Sequence, residues 1–170
     1  SHLTFRSEQM VIKPNFVEDR GYCLEKEDYY LFVGRLSQEK GILEVIEAFA
    51  ELAHKLVIVG TGPLEKNVEK AALENDNIEY LGFQSQEELS HLYMKGKALI
   101  VASKVYETFG LTVVEAFSFG TPVIAPDFGN LGSFIKEKGN GLKYKLGDLS
   151  SLRNTIRNFE MILDKNKIDN

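Results

Sequence analysis

Two cations, two carboxylates and a set of glycines are the residues of this 170-residue chain whose types and spacing could do chemistry. The segment Gly34-Arg-Leu-Ser-Gln-Glu-Lys40-Gly41 sets Arg35 and Lys40 beside glycines. A planar guanidinium fork, a lysine point charge and the free N–H groups of a helix start would together suit a diphosphate. The plain alternative is a solvated loop whose charges pair with Glu39 or Glu44. Further on, Glu107 and Glu115 bracket Thr108-Phe109-Gly110-Leu111. Gly110 lets backbone approach a ligand, and a helix starting there turns its positive end toward an anion. Carboxylates at that separation could accept hydrogen bonds from hydroxyls at two points of one elongated polyol. Glu115 stands in the apolar run Val113-Val-Glu-Ala-Phe117, where a purely structural carboxylate has no obvious partner. The interval itself proves little, because Glu39 with Glu47 and Glu79 with Glu87 repeat it. Context sets the pair apart: a post-strand loop, an F-G turn, an apolar helix and then Gly120-Thr-Pro122-Val-Ile-Ala125.

The run Gly60-Thr-Gly62-Pro63-Leu64-Glu65 begins like a dinucleotide fingerprint, but Glu65 takes the third glycine's place. Pro63 also removes an amide that would face a pyrophosphate. A tight strand-to-helix turn at the edge of a cleft fits better, and an oxidoreductase of Rossmann type is disfavoured. His2, His54 and His91 are scattered, and each reads as an ordinary surface or partly packed side chain rather than a catalytic base.

The elements that must position these residues alternate along the chain. Strands are expected at Met10–Lys13, Tyr30–Val33, Leu56–Val59, Ile78–Leu81, Ala98–Ala102, Pro122–Ala125 and Leu142–Lys145. Most are apolar throughout, as strands buried on both faces of a parallel sheet must be. Between them, Ile42, Val45, Ile46, Phe49 and Leu52 form one helical stripe. Pro63 suits the first turn of the next helix. Ser85 and Glu88 read as a capping box opening a helix through Leu89, Leu92 and Tyr93. A short apolar helix from Leu111 to Phe119 ends at Gly120 in a left-handed position. A final amphipathic helix covers Leu149–Leu163. The alternation predicts an α/β, Rossmann-like three-layer sandwich with a mostly parallel sheet, its ligands beyond the carboxyl ends of the strands. Residues 1–9 read as an N-terminal extension with Ser1-His2 a tag remnant, 10–163 as one domain, and 164–170 as a frayed tail.

Composition sets the outer limits. Hydrophobic residues are 44% and charged residues 26%, which excludes a disordered or collagen-like chain. The net charge of −5 argues against a nucleic-acid partner, which calls for a basic stripe. Cys23, the one cysteine, allows no internal disulfide, and a reduced intracellular compartment fits. No apolar run approaches the ~20 residues that span a bilayer.

The run E-x-F-G-L-x-x-V-E-A-x-x-x-G-x-P-V-I-A, from Glu107 to Ala125, resembles the signature of retaining glycosyltransferases of family 4. Gly34-Arg35 with Lys40-Gly41, Val59-Gly-Thr-Gly-Pro63, and Tyr80-Leu-Gly-Phe83 with Glu88-Leu89 fall in that family's order. Val11-Ile-Lys-Pro-Asn15 looks like the strand that leads into its second domain. The resemblance covers about residues 10–160 and implies the C-terminal, donor-binding half of a GT-B fold, two Rossmann-like domains facing across a cleft. Such a pair needs on the order of 350 residues, so the N-terminal acceptor domain is a missing partner.

Residue by residue, the resemblance implies that Arg35 and Lys40 neutralise the diphosphate of a UDP- or GDP-sugar. Glu107 would bind hydroxyls of the transferred sugar. The amides of Thr108, Phe109, Gly110 and Leu111 would hold sugar and phosphate, and Glu115 the ribose hydroxyls. Gly34, Gly60, Gly62 and Phe83 complete the expected donor site. It implies a hexosyl transfer with retention and no metal or other cofactor, and the chain has no D-x-D motif of the metal-dependent kind. The family often has proline where Thr108 stands. It also implies bacterial polysaccharide or glycolipid assembly in the cytoplasm, at the inner membrane face. Lys136/Lys138 and Lys143/Lys145 read as solvated lysines, not as evidence of lipid contact. A nucleotide-binding module without transferase activity, and a GT-B epimerase or phosphorylase, remain as alternatives.

Overall fold

A computed structural model describes residues 25–106, 110–137 and 139–168. The expected strand Met10–Lys13 and the residues Cys23, Glu107, Thr108, Phe109 and Lys138 lie outside the described residues. Strands β1 (Tyr29–Val33), β2 (Lys55–Val59), β3 (Ile78–Gly82), β4 (Ala98–Ile100), β5 (Val123–Pro126) and β6 (Gly141–Tyr144) form one sheet. Its order is β3-β2-β1-β4-β5-β6, and every pairing is parallel. The α/β, Rossmann-like expectation is met.

Helices α1 (Ile42–Ala50), α2 (Glu65–Glu74), α3 (Gln86–Lys95), α4 (Leu111–Ser118), α5 (Gly129–Phe134) and α6 (Leu149–Ile168) flank the sheet. Side-chain alternation along β1 explains the layers. Tyr30 and Phe32 point into the core shared with α1, α2 and α6, where Val45, Phe49, Val68 and Ile156 are buried. Tyr29 and Leu31 point into the opposite core, with Tyr93 of α3, Val113 and Ala116 of α4, and Leu131 of α5. The chain therefore fills one face from β1 to β3. It then crosses to the other face and extends the sheet from β1 outward through β4. The strand order reverses between β1 and β4, which opens a crevice there because the connections leave in opposite directions.

Local signals explain the helix ends. The capping box of α3 is formed: Ser85 Oγ accepts the Glu88 N–H at 3.3 Å, and Glu88 Oε2 accepts the Ser85 N–H at 2.9 Å. Helix α4 closes with Gly120 at φ +65°, its N–H on the Phe117 carbonyl and the Thr121 N–H on that of Ala116. Two boundaries and one element differ from expectation. Pro63 lies in the turn before α2, not in its first turn, since Leu64 caps the helix. Helix α6 continues past Leu163 to Ile168, through much of the 164–170 segment expected to fray. Helix α5 was not foreseen.

At the amino end of the sheet, far from the crevice, one polar cluster ties α6 to β1 and β4. The Lys97 ammonium donates to Glu160 Oε1 at 2.8 Å, pairs with Asp28, and lies 5.8 Å from the centre of the Tyr30 ring. The Tyr30 hydroxyl donates to the same Glu160 oxygen at 2.6 Å, and His54 Nδ1 stands 3.6 Å from it. Burial alone would raise the Glu160 carboxyl, but the Lys97 and Tyr30 hydrogen bonds outweigh it and hold the group below the ordinary carboxylate range. A depressed folded value stabilises the fold above the ordinary carboxylate pKa of about 4.3, and the gain is lost as pH falls through the folded value. Glu160→Gln is expected to cost about 2 kcal/mol at pH 7, roughly 4–8 °C in melting temperature. Calorimetric melts should show that gap closing as pH falls below about 4.

Candidate functional site

The crevice between the carboxyl ends of β1 and β4 holds a cavity of about 340 Å³, at the low end of the roughly 300–1,000 Å³ range of small-molecule sites. Three segments build it. The loop after β1 supplies Gly34, Arg35 and Lys40; the segment Val101–Ser103, which leaves the sheet after β4, forms a wall; and Gly110, Leu111 and Thr112 present the amino end of α4. Gly110 caps that helix at φ +55°, ψ +47°, so its first amides carry the positive end of the helix toward the cavity. At the cavity wall Arg35 is exposed and Lys40 half-buried. A second, more open cavity of about 430 Å³ shares Val33, Gly34 and Arg35 with the first. Gly60, Gly62, Phe83, Gln84 and Leu89 complete it. The two are contiguous around Arg35, a shape for a ligand with an anionic middle and two distinct ends.

The structure brings together Gly34, Arg35, Lys40, Gly110 and Leu111 at the first cavity, and Gly60, Gly62 and Phe83 at the second. Phe83 is 80% exposed, an open platform at the rim. Glu107, Thr108 and Phe109 are outside the described residues. Glu115 lies in neither cavity wall, but it follows Leu111 and Thr112 by one turn and so shares their face of α4. The expectation that it lacks a structural partner is corrected: Tyr93 of α3, fully buried, donates its hydroxyl to Glu115 Oε2 at 3.1 Å. A pair between helices distant in sequence leaves no signal in local spacing. The plain reading of the β1 loop is also resolved for Glu44, which pairs with Lys104 rather than with Arg35 or Lys40.

The glycines serve packing as much as ligand approach. A Cβ on Gly60 would lie 1.9 Å from the Gly34 carbonyl oxygen, and one on Gly62 2.5 Å from that of Leu36. The loops after β1 and β2 touch backbone to backbone: the Leu36 N–H bonds the Thr61 carbonyl at 2.9 Å, and the Leu64 N–H that of Leu36 at 2.9 Å. Residues missed by sequence reasoning are Ser103, Thr112 and Leu131, which line the first cavity, and Tyr93. Ser103 and Leu131 read as ordinary loop and core residues, so only the fold could nominate them. Among the described residues, no group of three or more His, Cys, Asp or Glu side chains is placed to hold a metal ion. No described helix is long and apolar enough to cross a membrane.

An all-parallel sheet with a cavity at its order reversal, walled in part by Arg35 and Lys40, defines a Rossmann-like domain. Residues 20–166 match the family described as glycosyl transferases group 1, and the chain belongs to that family. An uncharacterized glycosyltransferase of Methanocaldococcus jannaschii is 34% identical over 125 residues, 69% of this chain and 32% of the relative. The chain spans about a third of the length of the curated relatives it matches. Among solved structures, the lipopolysaccharide outer core galactosyltransferase WaaB superposes with a TM-score of 0.75 at 22% identity, over 91% of this chain and 47% of that one. Anabaena HepE in complex with UDP-glucose gives 0.69 at 23%, over 81% and 40%. What this chain shares with them is the Rossmann-like α/β fold.

Gly60→Ala is expected to lower stability by about 3 kcal/mol, roughly 6–12 °C, because φ is +135° there and the clash is with backbone. Thermal melts check this, with Gly147→Ala, which has open space around its Cβ but the same left-handed backbone, as the comparison.

Proposed function

We propose that this chain is the C-terminal, donor-binding domain of a retaining glycosyltransferase of family 4. It would bind a UDP- or GDP-sugar and work with an N-terminal acceptor domain on a polysaccharide, glycolipid or similar acceptor. The observation that carries the reading is the cavity at the β1/β4 reversal, walled by Arg35, Lys40 and the amino end of α4. Membership in the group 1 family and the UDP-glucose held by a structural neighbour support it.

In the transfer, the bond from the anomeric carbon to the β-phosphate oxygen breaks. The acceptor hydroxyl oxygen bonds to that carbon and passes its proton to the departing phosphate oxygen, and the nucleoside diphosphate leaves with both bonding electrons. Negative charge grows on the leaving phosphate, so Arg35 and Lys40 bind the transition state more strongly than the ground state. Those cations and the α4 amides supply the countercharge, and the reading invokes no metal. Glu107 and the amides of residues 108–111 hold the sugar, Glu115 the ribose hydroxyls, and Phe83 with Gly60 and Gly62 the base end. On this reading the domain turns over donor only together with an acceptor domain.

Thermal unfolding with UDP, GDP, ADP, UDP-glucose and NAD tests the reading. A nucleotide at about 100 times its Kd adds about 2.7 kcal/mol, roughly 5–11 °C here. The expected result is a shift with one nucleoside diphosphate that disappears in the Arg35→Ala/Glu115→Ala double variant. A shift with NAD alone, or one indifferent to the double variant, overturns it.

A further inference from the structure

We infer that Tyr93 is a positioning residue: its hydroxyl fixes the Glu115 carboxylate so that the second oxygen faces the ribose of a bound nucleotide. The inference rests on the proposed function and names a residue that the motifs do not include.

Three observations carry it. The first is the bond itself, from a fully buried tyrosine to a half-buried carboxylate across two helices, α3 and α4. With Oε2 accepting from Tyr93, Oε1 is the oxygen with more acceptor capacity left for a ligand.

The second is placement. Tyr93 follows Leu89 by one turn of α3, and Leu89 lines the second cavity. Glu115 follows Leu111 by one turn of α4, and Leu111 lines the first. The pair therefore stands one turn behind both cavities, where the two helices converge. A nucleoside diphosphate with its phosphates at Arg35 and its base in the second cavity carries its ribose between those two points.

The third is rigidity. The Tyr93 ring stacks on Phe119 at 6.0 Å and 10°, and its own carbonyl accepts the Thr121 hydroxyl. Thr121 is fully buried at the end of the turn that closes α4. The hydroxyl is thus aimed by packing on both sides, as a group that must orient another requires. Burial first, and then the Glu115 charge, push the Tyr93 hydroxyl above its ordinary range, so it stays a donor at any working pH.

A structural hydrogen bond and a positioning one predict different things. If Tyr93 only stabilises the fold, Tyr93→Phe lowers affinity for ribose and deoxyribose nucleotides alike, or for neither. If it positions Glu115, the variant loses discrimination between them.

The test is calorimetric titration of UDP against 2′-deoxy-UDP, and of GDP against 2′-deoxy-GDP, on the wild-type chain, Tyr93→Phe and Glu115→Gln. Thermal melts set a titration temperature at which each variant is folded. Wild type is expected to favour the ribonucleotide about tenfold, and Glu115→Gln to bring the ratio near one. Tyr93→Phe should lower that ratio at least threefold while leaving deoxynucleotide affinity within about twofold. An unchanged ratio in Tyr93→Phe, with Glu115→Gln altered, overturns the inference and leaves the proposed function standing. A ratio that Glu115→Gln does not move, or no binding by wild type, overturns the assignment of Glu115 and the inference with it.

Discussion

The loop after β1 is held between the loops after β2 and β4, and the candidate site depends on that confinement. On one side, Gly60 and Gly62 leave no room for a side chain against the carbonyls of Gly34 and Leu36. On the other, a Cβ on Gly41 would lie 2.2 Å from the Ala102 carbonyl oxygen, and the Lys104 N–H bonds the Glu39 carbonyl at 2.8 Å. Leu36, fully buried, anchors the middle. Arg35 and Lys40 ride on a segment whose backbone has been fixed by folding. Little ordering entropy is left for that loop to lose on binding a ligand.

A chain with more acids than bases must also keep carboxylates from neutralising that site. Three nearby acids are engaged by other groups, while Glu39 stands close enough to Arg35 and Lys40 to feel both charges. Glu44 pairs with Lys104. Glu65, which stands where a dinucleotide fingerprint would have glycine, accepts from the Tyr80 hydroxyl at 2.8 Å. Burial and that hydrogen bond push Tyr80 up to about 12, so it remains a donor. Glu115 accepts from Tyr93. Two tyrosines thus hold carboxylates without bringing in positive charge, which keeps the guanidinium and ammonium at the cavity as the local source of countercharge.

Elements whose signals are local could be read from the sequence. Strands apolar on both faces, the Ser85/Glu88 box and Gly120 each follow from a few adjacent residues, and each stands within a residue or two of its expected place. Helix α5, Gly-Asn-Leu-Gly-Ser-Phe, has two glycines and no apolar period; its buried Leu131 holds it against the sheet, so tertiary packing overrides propensity. The site divides the same way. Arg35, Lys40 and Gly110 were legible because each follows a strand by a short interval, and the topology gathers such loops at one edge. Ser103, Leu131 and the Tyr93–Glu115 bond were not, since contacts between segments far apart in sequence leave no periodic trace.

That gathering has a further consequence. In an all-parallel sheet every strand enters at one edge and leaves at the other, so the two edges can be specialised. The entering edge carries Lys97, Glu160, Tyr30 and Asp28, charges mutually satisfied and largely withdrawn from water, Asp28 excepted. The leaving edge carries glycines in left-handed conformations, at Gly41 and Gly110, together with Arg35 and Lys40 of the cavity wall. The cluster of Lys97, Glu160, Tyr30 and Asp28 lies at the opposite end of the same strands. Because β1 contributes Tyr30 to one edge and Gly34 follows it at the other, a single buried strand couples the stabilising cluster to the loop that it supports.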